Sequence, residues 1–407
     1  MVRMLSVAAI LTGVCVLAAG AAQARSSVRP PQIVDATVIT QVEPDGYRVT
    51  ALEVRFDRPV FPAHPSTFAV RATLTRPTGQ TVTGVRTITS VRGHGRTLVL
   101  SLDPSEPLAL GAYSEGGFTR LYDLAGAYRV TQAGAGSAVN SKVYNRIVDE
   151  YGSGSFTSAA GVTLPYRHFT PGVRRGQKYP LVVTLHGYGE SGTGNVSQIA
   201  GNQLSVAFAK PGNAFVLSPQ ADPGSATGGA WWDARVQAAV VELVRDFLAT
   251  HPAVDTDRVY LTGLSMGSYG SWAILPAAKG LFAGAVLVCG AGDEAAAVAS
   301  LGDFPIWAVH SADDSVVAYD GPGSDYRIFQ ALEAAGEPVT WSEWSGLLSD
   351  AEQEALAAKA RRQAARTGSK HLFTTLPAGT TPLFAHASWI PAYTHAVILD
   401  WLLAQHR

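Results

Sequence analysis

Cysteine is almost missing from this 407-residue chain: there are two, Cys15 and Cys289. That excludes a disulfide framework and a zinc site built on thiolates. Charge is scarce as well. Asp, Glu, Lys and Arg make up 15% of the residues, against about a quarter in an ordinary soluble domain. The 31 basic and 32 acidic residues leave a formal net charge of -1, so no basic excess exists to follow a nucleic-acid backbone. No Lys/Arg run offers an electrostatic membrane patch. Tryptophan is absent from the first half; all eight lie between Trp231 and Trp401. What is plentiful is apolar material, 47% of the residues. That is enough for a sizeable core and too much for a mainly disordered protein. The length is comfortable for two domains.

The first residues read as a leader rather than as fold. Arg3 supplies a positive start, Leu5 to Gly20 is apolar, and Ala22-Gln23-Ala24 is a small-x-small cleavage site. This is the layout of a secretory signal peptide over residues 1–24. The apolar run is short for a full membrane span. Export and cleavage would leave Cys289, in the run AVLVCGAG, as the one thiol, with the character of a buried strand residue. The expectation is a secreted protein, extracellular or periplasmic, with no stable membrane insertion after cleavage.

From about Pro31 to Thr131 the pattern is β. YRVTALEVRF, TFAVRATLTR, VTGVRTITSV and RTLVLSLD are rich in β-branched residues and separated by turn signals such as Pro44-Asp45-Gly46. Short strands at this spacing predict a small antiparallel sandwich. With a small-residue linker from Gln132 to Asn140 it would occupy residues 25–140. After about Ser141 strands alternate with helices. YPLVVTLHG, NAFVLSPQ, RVYLTGLS, GAVLVCG and FPIWAVHS are buried-type strands, and residues 233–249 carry apolar positions at helical spacing. That order predicts a mostly parallel sheet with helices on both faces over residues 141–407. A polar, Ala-rich stretch near 349–366, opened by Ser349 and Glu352 as a capping box, reads as a helical insertion over one edge of the site.

The central motif is Gly263-Leu264-Ser265-Met266-Gly267, which follows the strand RVYLT and precedes a helix. A Ser at the tip of such a turn has strained backbone angles. Small residues two before and two after it let strand and helix approach without clash. A hydrolytic Ser needs a base, and an acid to orient that base, in the chain order Ser, acid, His. Asp314, just past the strand FPIWAVHS, is the preferred acid, with Asp313 the runner-up and Asp293 a third choice. His386, in a loop before the final helix, is the preferred base, and His371 the second. The N–H of Met266, and that of Tyr188 in the loop His186-Gly187-Tyr188-Gly189, are candidate oxyanion donors. Losing one such donor costs about 3–4 kcal/mol of transition-state stabilisation. Trp231 and Trp232, ahead of a helix, and Trp389, three residues after His386, are candidate pocket walls; core packing accounts for each equally well. The scheme needs no metal and no organic cofactor. Because the base must be neutral, activity should drop below roughly pH 6–7.

LHGYGESG, DRVYLTGLSMGSYGSW, FPIWAVHSADDSVV and HASW followed by DWLLAQ resemble bacterial secreted α/β-hydrolases. Among these the closest group is the polyhydroxybutyrate-depolymerase-like esterases, which includes predicted peptidases. The resemblance covers nearly the whole mature chain, specifically over the hydrolase motifs and loosely over the sandwich. It implies an α/β-hydrolase fold preceded by an immunoglobulin-like domain. It also implies Ser265 as nucleophile, Asp314 as acid, His386 as base, and Tyr188 and Met266 as oxyanion donors. Three departures stand out. Ser268 stands where the family often has Gly, Ser311 replaces the usual Gly after His310, and the segment between Trp344 and His386 is long. The expected function is hydrolysis of short-chain or aryl carboxylic esters, small or polymer-linked, through an acyl-enzyme. A serine peptidase using the same residues and an inactive secreted binding protein are the rival readings. Three roles are open to the sandwich: packing over the active-site mouth, mediating homo-oligomers, or holding a polymer.

Overall fold

The computed structural model describes residues 29–407, and the expected leader lies outside them. The first part of the chain is all β. Its strands are β1 (Ile33–Glu43), β2 (Gly46–Val60), β3 (Phe68–Thr75), β4 (Thr81–Arg86), β5 (Ile88–Leu102), β6 (Ala112–Glu115), β7 (Phe118–Leu121), β8 (Tyr128–Gln132), β9 (Gly136–Val139) and β10 (Lys142–Asn145). They form one four-stranded sheet of order β10-β1-β2-β5, another of order β4-β3-β8-β9, and a separate β6-β7 hairpin. Alternation sets the layers. Along β3, Phe68, Val70, Ala72 and Leu74 are buried and the residues between them are exposed.

The stretch from Gln132 to Asn140 is not a linker. It holds the β8-β9 hairpin, paired from Arg129↔Val139 to Gln132↔Gly136. Its glycines serve the turn: Gly134 and Gly136 have φ of 78° and 79°, a conformation that favours residues without a Cβ. Asn140 is buried, and its amide donates to the carbonyls of Leu124 (2.9 Å) and Lys142 (3.1 Å). β10 then pairs in parallel with β1, so the first part continues through Asn145.

The second part is one nine-stranded sheet. Its strands are β11 (Gly152–Thr157), β12 (Thr163–Phe169), β13 (Tyr179–Leu185), β14 (Phe215–Pro219), β15 (Val254–Leu264), β16 (Gly284–Val288), β17 (Ile306–Ser311), β18 (Val339–Glu343) and β19 (His371–Leu376). The order is β11-β12-β14-β13-β15-β16-β17-β19-β18. All pairs from β14 to β18 are parallel, and β11 and β12 form an antiparallel edge. Every residue of β13, YPLVVTL, is buried, as a strand covered on both faces requires. From β13 the chain steps outward to β14 on one side; from β15 it steps outward to β16 and β17 on the other. The boundary between β13 and β15 is therefore the switch point of the sheet, where a crevice opens beyond the strands' carboxyl ends.

Among the described residues nine α-helices accompany the strands: α1 (Ser197–Ala200), α2 (Val206–Ala209), α3 (Ala234–Thr250), α4 (Met266–Ala277), α5 (Glu294–Leu301), α6 (Asp325–Ala334), α7 (Asp350–Thr367), α8 (Trp389–Thr394) and α9 (Ala396–Leu403). α3 buries Val236, Ala239, Val240, Leu243, Val244 and Phe247, one stripe at helical spacing, and Asp233 caps it by accepting the Arg235 N–H. α7 carries the expected capping box, Ser349 with Glu352. It is not an insertion over the site. It is the crossover between the parallel strands β18 and β19, which need one. Gln353, Ala357, Ala360 and Ala364 face inward; alanines suit the close approach of helix to sheet.

Apolar packing is continuous between the two parts. One buried cluster runs from the sandwich interior (Val38, Leu52, Leu100) into the layer under one face of the large sheet (Val182, Tyr260, Val286). The opposite face is packed by a second cluster that includes α3, α4 and α6. Among the described residues no helix is long and apolar enough to cross a membrane.

Candidate active site

Ser265 stands between β15 and α4 with φ 51° and ψ -120°, a strained conformation for a residue bearing a side chain. The surroundings explain its neighbours. A Cβ on Gly263 would run into the Gly267 carbonyl, and one on Gly267 would collide with the carbonyl of Leu185. The Ser265 N–H donates to the Val288 carbonyl at 2.9 Å, which holds the tip of the turn against β16.

Two residues from distant parts of the chain complete a hydrogen-bonded series. His386 Nε2 lies 2.9 Å from Ser265 Oγ, and His386 Nδ1 lies 2.6 Å from Asp314 Oδ2. Asp314 follows β17, and His386 comes from the loop between β19 and α8. Both are nearly buried, each 6% exposed. The other Asp314 oxygen accepts the N–H groups of Val316 and Val317 at 2.8 and 3.0 Å. Burial alone would raise this carboxyl. Hydrogen bonds from His310 and His386 outweigh it and hold the group well below the usual carboxylate range.

The rival candidates are placed elsewhere. Asp313 turns away, accepting from Ser311 Oγ (2.8 Å) and the Gly379 N–H (2.8 Å). Thr381 Oγ1 donates to the same Ser311 hydroxyl at 2.7 Å, so Ser311 links the loop after β17 to the loop that carries His386. Asp293 caps α5 through the Ala296 N–H. His371 is buried in β19, with Nε2 at 3.1 Å from the Leu301 carbonyl. Ser268 is buried on α4 against Gly290, where a Cβ would strike it.

Met266 opens α4, and Tyr188 opens a short 3-10 turn over Tyr188–Glu190. First-turn N–H groups lack intrahelical partners, so both can serve an oxyanion. The residues just before them adjoin: the point a Gly187 Cβ would occupy is 3.7 Å from Ser265 Cβ. His186 supports this loop. Its Nε2 accepts the Ala221 N–H (2.9 Å), so the proton resides on Nδ1, which donates to the Gly187 carbonyl (2.6 Å). Burial keeps the ring neutral, with its pKa pushed down to about 4.

The series lies along a cleft of about 540 Å³ that also holds Trp389, Phe384, Leu383, Ile390 and Val316. The Trp389 ring meets His386 edge-on at 5.5 Å. Trp231 is not a wall of it. This residue is fully buried, with Nε1 donating to the His186 carbonyl at 3.0 Å, so it packs beneath the loop. Trp232 is 56% exposed and stacks parallel to Tyr188, 6.3 Å away, behind the loop rather than in the cleft.

Three further features shape the site; the first is among the roles left open to the sandwich, and the other two escaped the sequence reading. First, the sandwich contributes to the cleft through Asp45, Ser114, Gly117 and Thr119. Its β6-β7 hairpin stacks Phe118 on Tyr188 at 5.2 Å, and Arg120 donates to the Ser191 carbonyl at 3.1 Å. Second, a buried chain continues behind Asp314. His310 has Nε2 3.4 Å from Asp314 Oδ2 and Nδ1 3.1 Å from Asp325 Oδ2. Asp325 also accepts from Trp272 Nε1 (2.6 Å) and the Gly290 N–H (2.7 Å). Burial disfavours the imidazolium, but hydrogen bonds to Asp314 and Asp325 overcome that and raise His310 to about 9. Third, Cys289 lies one residue past β16 with φ 44°, so that its Sγ, an Asp314 oxygen and a His386 nitrogen fall within 4.8 Å of one another. The three make a poor metal site: two already bond each other, and burial pushes the thiol pKa up.

A mostly parallel doubly wound sheet with a strained Ser at its switch point, followed in chain order by an Asp and by a His that bonds both, defines an α/β-hydrolase fold. A crystal structure of a thermostable esterase is similar over 92% of this chain and 100% of its own, with 27% identity and a TM-score of 0.71. An acylaminoacyl peptidase of Pyrococcus horikoshii matches 63% of this chain and 42% of its own at 12% identity and TM-score 0.42. An S-formylglutathione hydrolase of Agrobacterium tumefaciens matches 63% of this chain and 95% of its own at 13% identity and TM-score 0.42. No family model and no curated protein matches the chain.

Proposed function

We propose that this protein is a serine carboxylesterase that cleaves short-chain or aryl esters, free or attached to a polymer, through an acyl-enzyme. The observation that carries the reading is the unbroken series from Ser265 Oγ to His386 to Asp314 on an open, partly apolar cleft. The similarity to a thermostable esterase over nearly the full length supports it. His386 takes the Ser265 proton as Oγ attacks the ester carbonyl carbon, and Asp314 keeps the Nδ1–H tautomer in place. The N–H groups of Tyr188 and Met266 stabilise the oxyanion. Collapse expels the alcohol, which takes the proton from His386. Water then attacks the acyl-enzyme with His386 again as base, and the acid leaves. The apolar side of the cleft suits an acyl chain or an aryl ring.

The layout of residues 1–24 supports export. The two four-stranded sheets of the first part support an immunoglobulin-like domain, and with the hydrolase motifs they favour the polyhydroxybutyrate-depolymerase-like group. Parallel assays test the chemistry. Turnover of p-nitrophenyl butyrate with little cleavage of a peptide p-nitroanilide is expected; the reverse preference would make it a peptidase.

A further inference from the structure

Glu190 is a carboxyl that the mechanism above does not use. It is 9% exposed and reaches the cleft beside the loop that carries Tyr188. Two glycines make room for it. A Cβ on Gly187 would lie 3.2 Å from Glu190 Oε2, and one on Gly201 would lie 2.8 Å from its Cγ and 3.0 Å from Oε1. Neither glycine is required by its backbone, since φ is -75° at Gly187 and -69° at Gly201. Their missing side chains leave the space that the carboxyl fills.

The main chain of Glu190 ties the loop independently of the carboxyl: its carbonyl accepts from Ser197 Oγ and Gln220 Nε2, both at 2.8 Å. Among the described residues no cation offsets the side chain. Burial pushes Glu190 up to about 7, against weaker easing by the Asn202 amide and nearby backbone N–H groups. The other acid of the cleft, Asp45, is already paired with Arg48 at 2.6 Å. Arg120 lies over the Phe118 ring and bonds Ser191, and among the described residues no Lys or Arg lines the cleft. The same cleft is lined by two aromatic side chains: Phe384, 48% exposed, and Trp389, beside His386. A desolvated carboxyl with hydrogen-bond donors but no cationic partner, in a cleft that also holds aromatic rings, is suited to a cation.

We propose that Glu190 is a specificity residue and that the preferred esters carry a positively charged nitrogen close to the scissile bond. This deepens the esterase reading and rests on it. Glu190 and Ser265 line the same cleft, and the two are close: the Gly187 Cβ point, packed by Leu264 Cδ1 at 2.7 Å, is 3.2 Å from the carboxyl and 3.7 Å from Ser265 Cβ.

The test uses two pairs of esters matched in shape and differing in charge, assayed near pH 8. Butyrylcholine against 3,3-dimethylbutyl butyrate places the charge on the alcohol. Acetyl-lysine methyl ester against acetyl-norleucine methyl ester places it on the acyl group. In at least one pair the wild type should favour the cation by about tenfold or more in kcat/KM. Glu190→Gln should bring that ratio close to one, whatever it does to the absolute rates. Glu190→Asp, which keeps the charge, should retain part of it. A loop-anchoring role would change both members of a pair equally. Ratios near one in both wild-type pairs, or a preference that survives in Glu190→Gln, overturn the proposal. The wild-type ratio alone decides if the variant does not fold. Neutral-ester turnover that persists in Ser265→Ala would instead refute the esterase reading.

Discussion

Exchanging Glu190 for Gln should stabilise the protein at pH 8 and have little such effect at pH 4.5. In the unfolded chain the carboxyl titrates near its ordinary value of 4.5, whereas burial raises it to about 7 in the fold. Below 4.5 both states are protonated and folding carries no ionisation penalty. Between 4.5 and 7 the unfolded state ionises first, so the penalty grows; above 7 it is complete. At roughly 1.4 kcal/mol per pH unit the full penalty is about 3 kcal/mol. Gln keeps the size and cannot ionise. Thermal melts of both proteins at pH 4.5, 6, 7 and 8.5 read the effect, and their difference cancels every other titrating group. The variant should gain roughly 3–6 °C relative to wild type between the lowest and highest pH. A difference that stays flat with pH would refute the account of Glu190 as a buried acid without a cationic partner.

Three further outcomes follow from contacts described above. Gly267→Ala places a methyl group against the Leu185 carbonyl and should cost about 3 kcal/mol or more, read by denaturant unfolding. His310→Ala removes the cation between Asp314 and Asp325 and should cost about 3–5 kcal/mol at pH 7. The contribution of His310, raised to about 9, is complete below about 6.5 and fades as pH rises through 9; melting curves of wild type and variant should therefore converge above pH 9, and a constant gap would contradict the charged assignment. Phe118→Ala removes the ring stacked on Tyr188 and should lower ester kcat/KM about two- to tenfold with only a small change in melting temperature. An unchanged rate would mean that the hairpin does not steady the loop.

Sequence reasoning reached the features that are local. The glycines around Ser265 declare a tight turn, because the clashes they avoid lie within four residues or on the adjoining strand. The buried strands declare a parallel sheet, because their apolar runs lack alternation. What stayed hidden depends on distant partners. His310 gains its charge from Asp314 together with Asp325, the latter fifteen positions away at the start of a helix. Glu190 is legible only once Gly201 is known to lie against it. Trp231 and Trp232 are adjacent in sequence, yet one packs inward on His186 and the other outward on Tyr188. The glycines after β8 have the composition of a linker and the geometry of a hairpin. The run near 349–366 looks like an addition because alanines carry little hydrophobic signal, though four side chains seat it on the sheet.

The central claim is that Ser265 is the nucleophile of an ester hydrolase. Its most direct test compares hydrolysis of p-nitrophenyl butyrate by the wild type and by Ser265→Ala at pH 8, with folding checked by circular dichroism. The account predicts ready turnover by the wild type and a loss of roughly 10⁴- to 10⁶-fold in the variant. Equal rates in the two folded proteins would contradict it.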